Sequence, residues 1–383
     1  FRDRGHEVVV VGPHEGEHDR FGSKSRSISA VRRFLPRPAS ELAEFLYSIL
    51  AFLKLRRAVR QHRPDILYER YSLFQIAGGV LSRRYRLPFL LEINAPLHQE
   101  RSADGGLALS RFARWTERRC WRSADAALPV TQVLAGHVRE AGVPADRIHV
   151  IHNGINAQRF SGEDDGSLRR AELDLEGRLV LGFVGFAKPW HGLDKVVDVL
   201  ARNGAEHDLH LLVVGDGEVL RSLKREAERK GVADRITVTG VVPREDVASY
   251  VGAFDIALQP HVTSYASPLK VFEYLAFGKP IVAPDQPNIR EILTHEGQAL
   301  LFDPADPNGF ADAVLRLCAD AELRGRLGEE ARRTIPERGF TWMENAMRIE
   351  RIALHLEAGK RLASERALPS DLVLPPVRPG GTD

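Results

Sequence analysis

Two short runs carry the residues best suited to chemistry. In the first, Gly182-Phe-Val-Gly-Phe-Ala-Lys-Pro-Trp-His-Gly-Leu-Asp194, an apolar strand ends at Gly185, a short loop follows, and a helix starts near His191. A helix N-terminus offers unpaired N–H groups and the positive end of a dipole, so it suits a phosphate. Lys188 and His191 flank that end and would add positive charge. The plain alternative is a tight strand–helix connection with a solvated lysine. In the second run, Ser267-Pro-Leu-Lys-Val-Phe-Glu-Tyr-Leu-Ala-Phe-Gly-Lys-Pro280, Ser267 suits an N-cap and Pro268 a first helical position. Glu273 then stands among Val271, Phe272, Leu275 and Ala276. A carboxylate there suits ribose hydroxyls, or else it is a helix-surface glutamate paired with Lys270 or Lys279.

Other runs are weaker. Val213-Val-Gly-Asp-Gly217 lacks the full G-x-G-x-x-G spacing, so it reads as a turn and disfavours a dinucleotide dehydrogenase. Tyr68-Glu-Arg-Tyr71 and Glu92-Ile-Asn-Ala-Pro96 each follow a strand end and would face a cleft. Glu69 and Arg70 are either part of that cleft or a structural ion pair. No His, Cys or Asp cluster has metal-ligand spacing, and no nucleophile elbow, P-loop or H-E-x-x-H is present.

Positioning these residues requires particular elements. In the first half, the strands expected are His6–Val11, Asp65–Tyr68, Pro88–Ile93, Ala124–Val130 and Arg147–Ile151. Helices are expected at Ser40–Arg60 (Ser40 as N-cap), Leu73–Tyr85, Leu107–Arg122 and Val133–Ala141, with a long polar loop from Gly12 to Ser40. In the second half, the strands are Leu179–Val184, Leu209–Val214, Ile236–Thr239, Asp255–Gln259, Pro280–Ala283 and Ala299–Phe302. Helices between them include His191–Ala201, Val219–Lys230, Val247–Ala253, Leu269–Phe277 and Pro307–Leu317. Apolar strands alternating with helices mean parallel sheets covered on both faces. The expectation is an α/β chain of two doubly wound Rossmann-like domains across a cleft. The domains span residues 1–157 and 158–342, with the polar stretch 156–178 as linker. A helix over 343–362 packs back towards the N-terminal domain, and 368–383, rich in Pro and Gly, is a disordered tail. The opening Phe1-Arg-Asp-Arg-Gly5 reads as the tail of a helix entering a strand, so a preceding first strand is expected to be missing.

The motifs in this order resemble the family-4 glycosyltransferases of GT-B fold. The segments that carry the resemblance are Ala124–Thr131, Ile148–Gly154, Gly182–Asp194, Leu212–Gly217, Ile236–Gly240, Phe254–Pro260, Ser267–Ala283 and Phe340–Trp342. It covers roughly 6 to 342, and Tyr68–Phe74 and Glu92–Pro96 resemble one bacterial subgroup. The resemblance implies a retaining, metal-independent, hexosyltransferase-type enzyme that needs no cofactor beyond its nucleoside diphosphate sugar. It implies donor contacts at Gly185, Phe186, His191, Gly192, Asn153, Gly154, Tyr265, Ser267, Pro268 and Leu269. Lys188, Lys270, Glu273 and Asn94 would be catalytic, and Glu69, Arg70 and Glu92 would lie on the acceptor side. Several positions depart from the family pattern. Tyr265 occupies the place of the first Glu of E-x₇-E, of which Glu273 is the second. Phe186 and His191 stand where Arg and Lys are usual, leaving Lys188 and Lys270 to supply the charge. Asn94 stands near the usual acceptor-side His, with His98 close but unaligned, and the Gly-rich loop after the first strand is absent.

Composition bounds the rest. At roughly 150 residues per domain, 383 residues suit two domains. No stretch approaches about 18 uninterrupted apolar residues, which excludes a spanning helix. Two cysteines cannot make a disulfide framework and fit a reducing, cytoplasmic setting. Residues 1–160 carry 26 Lys and Arg against 16 Asp and Glu, whereas the remainder carries 28 against 36. The basic half suits an anionic partner or simply solvated arginines. Arg111–Arg122 interleaves aromatics with arginines and Ser40–Arg60 ends in Lys54, Arg56, Arg57 and Arg60, which fits peripheral association with the inner face of an anionic membrane, unless Phe112 and Trp115 pack into the N-terminal core and the arginines are merely solvated. Nucleic acid is a poorer fit, because no binding motif accompanies the charge. The function expected is transfer of a sugar to a saccharide or lipid-linked acceptor in surface polysaccharide or glycolipid synthesis. The rivals are a GT-B-fold nucleotide-sugar epimerase and a degenerate, non-catalytic nucleotide-sugar-binding protein.

Overall fold

The computed structural model of the chain describes residues 1–12, 36–103, 105–160 and 166–366. Most of the expected loop between Gly12 and Ser40, part of the linker and the whole 368–383 tail lie outside these.

Short runs rich in Leu, Val, Ile, Phe and Ala form most of the strands, β1 with its Tyr68-Glu-Arg70 being the polar exception. In the first half β1 (Leu67–Arg70), β2 (Phe89–Ile93) and β3 (Ala126–Pro129) make a parallel sheet in the order β1-β2-β3. Residues 147–151 extend that ladder: the His149 N–H donates to the Ala127 carbonyl at 2.9 Å and the Ile151 N–H to that of Pro129 at 3.0 Å. The helices here are α1 (Arg37–His62), α2 (Ala77–Tyr85), α3 (Leu97–Ala103), α4 (Ser110–Trp121) and α5 (Gln132–Glu140). The second half builds a six-stranded parallel sheet in the order β6-β5-β4-β7-β8-β9. Its strands are β4 (Leu179–Val184), β5 (Leu209–Val214), β6 (Ile236–Val238), β7 (Ile256–Leu258), β8 (Ile281–Pro284) and β9 (Ala299–Phe302). Around it lie α6 (Ser167–Glu172), α7 (Leu193–Asn203), α8 (Leu220–Arg229), α9 (Val247–Gly252), α10 (Leu269–Ala276), α11 (Pro287–Arg290), α12 (Gly309–Ala319) and α13 (Ala321–Arg338). The last helix, α14 (Trp342–Arg366), returns to the first sheet, where Ile349 and Ala353 pack on Leu90, Ala126 and Leu128.

Both sheets are parallel and covered, with side chains such as Leu90, Leu91, Phe183 and Leu211 fully buried. This is the two-domain α/β architecture expected. A parallel sheet gathers all its strand C-termini at one edge, and the two edges meet across a cleft.

Four expectations need correction. His6–Val11 is not a strand. It pairs with no strand among the described residues, although the outer edge of β1 is unpaired there. Val9, Val10 and Val11 are instead exposed, while Arg4 and His6 bond Glu350 on α14. Ser40 is not an N-cap: α1 begins earlier, at Pro36–Arg37, and the Ser40 hydroxyl donates to the Arg37 carbonyl at 2.8 Å. Ser267 caps nothing either, because Pro268 occupies the N-cap position of α10. The helix expected from Leu73 starts only at Ala77, after Phe74 takes a φ of 68° and is buried. The 18-residue α13 has no counterpart in the reading by pattern. Its buried stripe of Leu323, Leu327, Ala331 and Ile335 is narrow and interrupted by charge.

Candidate functional site

The site is assembled at the C-terminal ends of β4, β5 and β7. Gly185, just past β4, has a φ of 121°. That backbone favours glycine, and a Cβ there would stand in ordinary contact with Lys270 Nζ, at 3.7 Å. Lys270, in the first turn of α10, lays its ammonium 3.7 Å from the centre of the Phe183 ring. Burial pushes it down to about 7, and the charge of Glu273 opposes the fall. Burial likewise pushes Glu273 up to about 7, with Lys270 and Arg244 opposing. Two groups of opposite kind therefore titrate near neutrality beside one loop. Behind them the Tyr274 hydroxyl accepts the Val184 N–H at 3.1 Å and donates to the Leu258 carbonyl at 3.3 Å, tying α10 to β4 and β7.

The first turn of α10 has no side-chain cap. The Val271 N–H donates to the Pro268 carbonyl at 3.1 Å, and the N–H groups ahead of it can meet an anion beside Lys270. Ser267 is held from the other domain instead. Asn153 donates its side-chain amide to the Ser267 carbonyl at 2.7 Å and its backbone N–H to the Ser267 hydroxyl at 3.4 Å. Gly154, next along, lies against the Thr341–Trp342 backbone, where a Cβ would come within 2.8 Å. Pro268 and Leu269 start α10, and Leu269 is exposed.

His191 does not add positive charge. Desolvation first, then Lys270, His261 and Lys188, hold its imidazole down to about 3, so it is neutral. Its Nδ1 accepts the Lys188 N–H at 3.0 Å and its ring lies 5.2 Å from that of Phe183. Lys188 points outward, its ammonium over the exposed rings of Phe186 and Trp190 and 3.9 Å from Glu218. Gly192, at φ 69°, abuts Pro260 and His261. Beside it Gln259 Oε1 and His261 Nδ1 are buried without a partner in the protein. Leaving such groups unpaired costs about 1–3 kcal/mol each, which a bound polar molecule would recover.

Tyr265 spans the cleft. Its hydroxyl bonds Glu100 on α3, and its carbonyl accepts the Thr131 hydroxyl at 2.9 Å. Glu291 crosses too, accepting the Gln132 N–H at 2.8 Å and so capping α5 from the opposite domain.

In the first domain the structure unites two motifs that lie apart in sequence. Glu92 accepts the Tyr68 hydroxyl at 2.6 Å and the Asn94 amide at 2.6 Å, with Arg70 Nε at 3.7 Å. Glu69 is not among them. Successive strand residues point to opposite faces, and its carboxylate lies against Gly78, where a Cβ would sit 1.8 Å from Oε2. Burial there pushes it up to about 7. Glu69 and Arg70 are consequently no ion pair.

Reading by motif missed several participants. The Gly215–Gly217 turn supports the Gly185 loop: a Cβ on Gly215 would fall 2.3 Å from the Gly185 carbonyl, and one on Gly217 2.0 Å from that of Ala187. Arg244, Glu100 and Glu291 gave no local signal, because each acts on a residue distant in sequence.

Residues 165–334 match the family described as glycosyl transferases group 1, and residues 1–159 match glycosyltransferase family 4. The alpha-D-kanosaminyltransferase of Streptomyces kanamyceticus is 26% identical over 262 residues, covering 66% of this chain and 67% of its own. The GDP-mannose-dependent alpha-mannosyltransferase of Mycobacterium tuberculosis is 25% identical over 343 residues, covering 89% and 86%. Among solved structures, Anabaena HepE in complex with UDP superposes with a TM-score of 0.67 at 19% identity, covering 78% of this chain and 82% of that one.

Proposed function

The chain belongs to the family-4 glycosyltransferases of GT-B fold, and from that premise we propose that it transfers a hexose from a nucleoside diphosphate sugar, with retention and without a metal. The observation that carries the reading is the apposition of Lys270, Glu273 and the uncapped start of α10 at the Gly185 loop. The diphosphate lies at Gly185, where the α10 N–H groups and the Lys270 ammonium stabilise the charge that develops as the sugar leaves. Glu273 accepts hydroxyls of the ribose. Gln259 and His261 meet further polar groups of the donor. The acceptor enters from the wall of Glu92, Asn94 and Arg70, and is a saccharide or lipid-linked molecule of surface polysaccharide or glycolipid synthesis. A relative named for GDP-mannose and a neighbour solved with UDP support a nucleotide-sugar donor.

The test is slow hydrolysis of UDP- and GDP-sugars, followed as nucleotide release. Lys270→Ala removes a charge-assisted contact worth about 1.5–3 kcal/mol, so turnover falls about 10- to 100-fold. Wild-type turnover in that variant rejects the assignment.

A further inference from the structure

We propose that the outer face of α1 docks on an anionic phospholipid surface. Leu42, Leu46, Ile49, Leu50 and Leu53 recur at helical spacing and are each about half exposed, between 47% and 57%. The buried face of the same helix, Glu41, Ser48 and Val59, points the other way. Such a stripe of large aliphatic side chains is what a bilayer interface accepts and water does not.

Charge selects the occupant. Beyond the stripe, Arg57 and Arg60 continue along the same face, and Lys54 flanks it; all three are exposed. None of the three has an acidic partner within salt-bridge distance among the described residues. Residues 45–62 contain no Asp or Glu. The two acids earlier in the helix are engaged inward: Glu41 accepts the Ala108 and Leu109 N–H groups at 2.7 Å, and Glu44 pairs with Arg101 at 2.8 Å. Phe45 and Phe112 lie 5.0 Å apart, and Phe112 stacks on the exposed Trp115 at 5.8 Å, which carries the apolar surface onto α4 beside the exposed Arg111 and Arg114. A second copy of this face would oppose cation to cation with no acid to pair. An anionic headgroup layer supplies the missing charge.

The position suits the reaction. The start of α1 is tied through Glu44 to Arg101 on α3, the helix whose Glu100 meets Tyr265 across the cleft. A lipid-held acceptor at this surface would therefore stand at the cleft entrance. That part of the inference rests on the proposed glycosyl transfer, but the docking is measured without turnover.

The experiment is co-sedimentation of the full chain with phosphatidylcholine vesicles, with and without about a third phosphatidylglycerol. Binding is expected only with phosphatidylglycerol, falling steeply with salt because exposed charges are screened within about 10 Å at 0.1 M. Arg57→Gln with Arg60→Gln should lower affinity about 25-fold, at about fivefold per cation. Leu46→Glu with Ile49→Glu should abolish it while leaving UDP binding and melting temperature unchanged. Lys270→Ala should still sediment, so failure of the donor assignment is separable. Equal recovery with neutral and anionic vesicles overturns the proposal. So does a dimer in light scattering that Leu46→Glu dissociates, or a loss of melting temperature in that variant without vesicle binding, which would mean that this chain itself covers the face.

Discussion

Lys270 and Glu273 stand within a turn of each other on α10, and their environments bring an ammonium and a carboxylic acid to the same range, about 7. The consequences for ligand binding have opposite signs. A bound diphosphate favours the ammonium, so Lys270 takes up a proton on binding above pH 7, and affinity falls as pH rises from there. Ribose hydroxyls favour the carboxylate, so Glu273 releases a proton on binding below pH 7, and affinity falls as pH drops. Calorimetric titration with UDP should give an optimum near 7, each limb approaching about tenfold per pH unit. Lys270→Gln should flatten the alkaline limb alone, and Glu273→Gln the acid limb alone. If both limbs survive both substitutions, other groups set the profile. His191, held neutral, should leave the profile unchanged when replaced by Gln.

Loops and helix starts carry the site at the next scale. The Gly185 loop rests on the Gly215–Gly217 turn, and a Cβ on Gly215 or Gly217 would overlap the loop backbone. Gly217→Ala forces the Ala187 carbonyl away and should cost about 1–3 kcal/mol, the usual range for overpacking. Because the displaced segment is the donor loop, the loss of UDP affinity should exceed what the change in melting temperature accounts for. Equal effects on both would mean that the turn is a generic stability element. Helix α5 is capped twice, by Thr131 through the Leu134 N–H and by Glu291 from the other domain. Glu291→Ala should cost about 1 kcal/mol in a denaturant titration, the common value of a lost cap. Unchanged stability would show that water replaces the carboxylate.

At the scale of the molecule, two sheets are joined by three kinds of bond. Tyr265 and Glu291 cross the cleft, Asn153 holds Ser267, and α14 runs from the second domain onto the first sheet. That helix covers Leu90, Ala126 and Leu128, which the first sheet would otherwise expose. Ile349→Ala should cost about 2–4 kcal/mol, as large-to-small substitutions in cores do. It should destabilise the N-terminal domain before the C-terminal one, an order visible by hydrogen exchange. Uniform loss across both domains would show that they unfold as one unit. Among the described residues no helix is long and apolar enough to cross a membrane.

Sequence alone determined what depends on neighbours in the chain. Leu179–Val184 and Leu209–Val214 are strands because an unbroken apolar run can be satisfied only inside a covered parallel sheet. The Gly185 loop and the Leu269–Ala276 helix were legible because glycine, proline and helical spacing act within a few residues. Tertiary structure decided what depends on partners. His6–Val11 has strand composition, yet it pairs with no strand among the described residues, and Val9, Val10 and Val11 stay exposed. His191 looked cationic until burial beside Lys270 made the charged form costly. Glu69 and Arg70 are adjacent in sequence and on opposite faces of a strand, whereas Tyr68, Glu92 and Asn94 meet only because β1 and β2 are paired in register. The exposed leucines of α1 have the same spacing as core leucines. Periodicity marks a face, and only packing shows whether anything in the protein covers it.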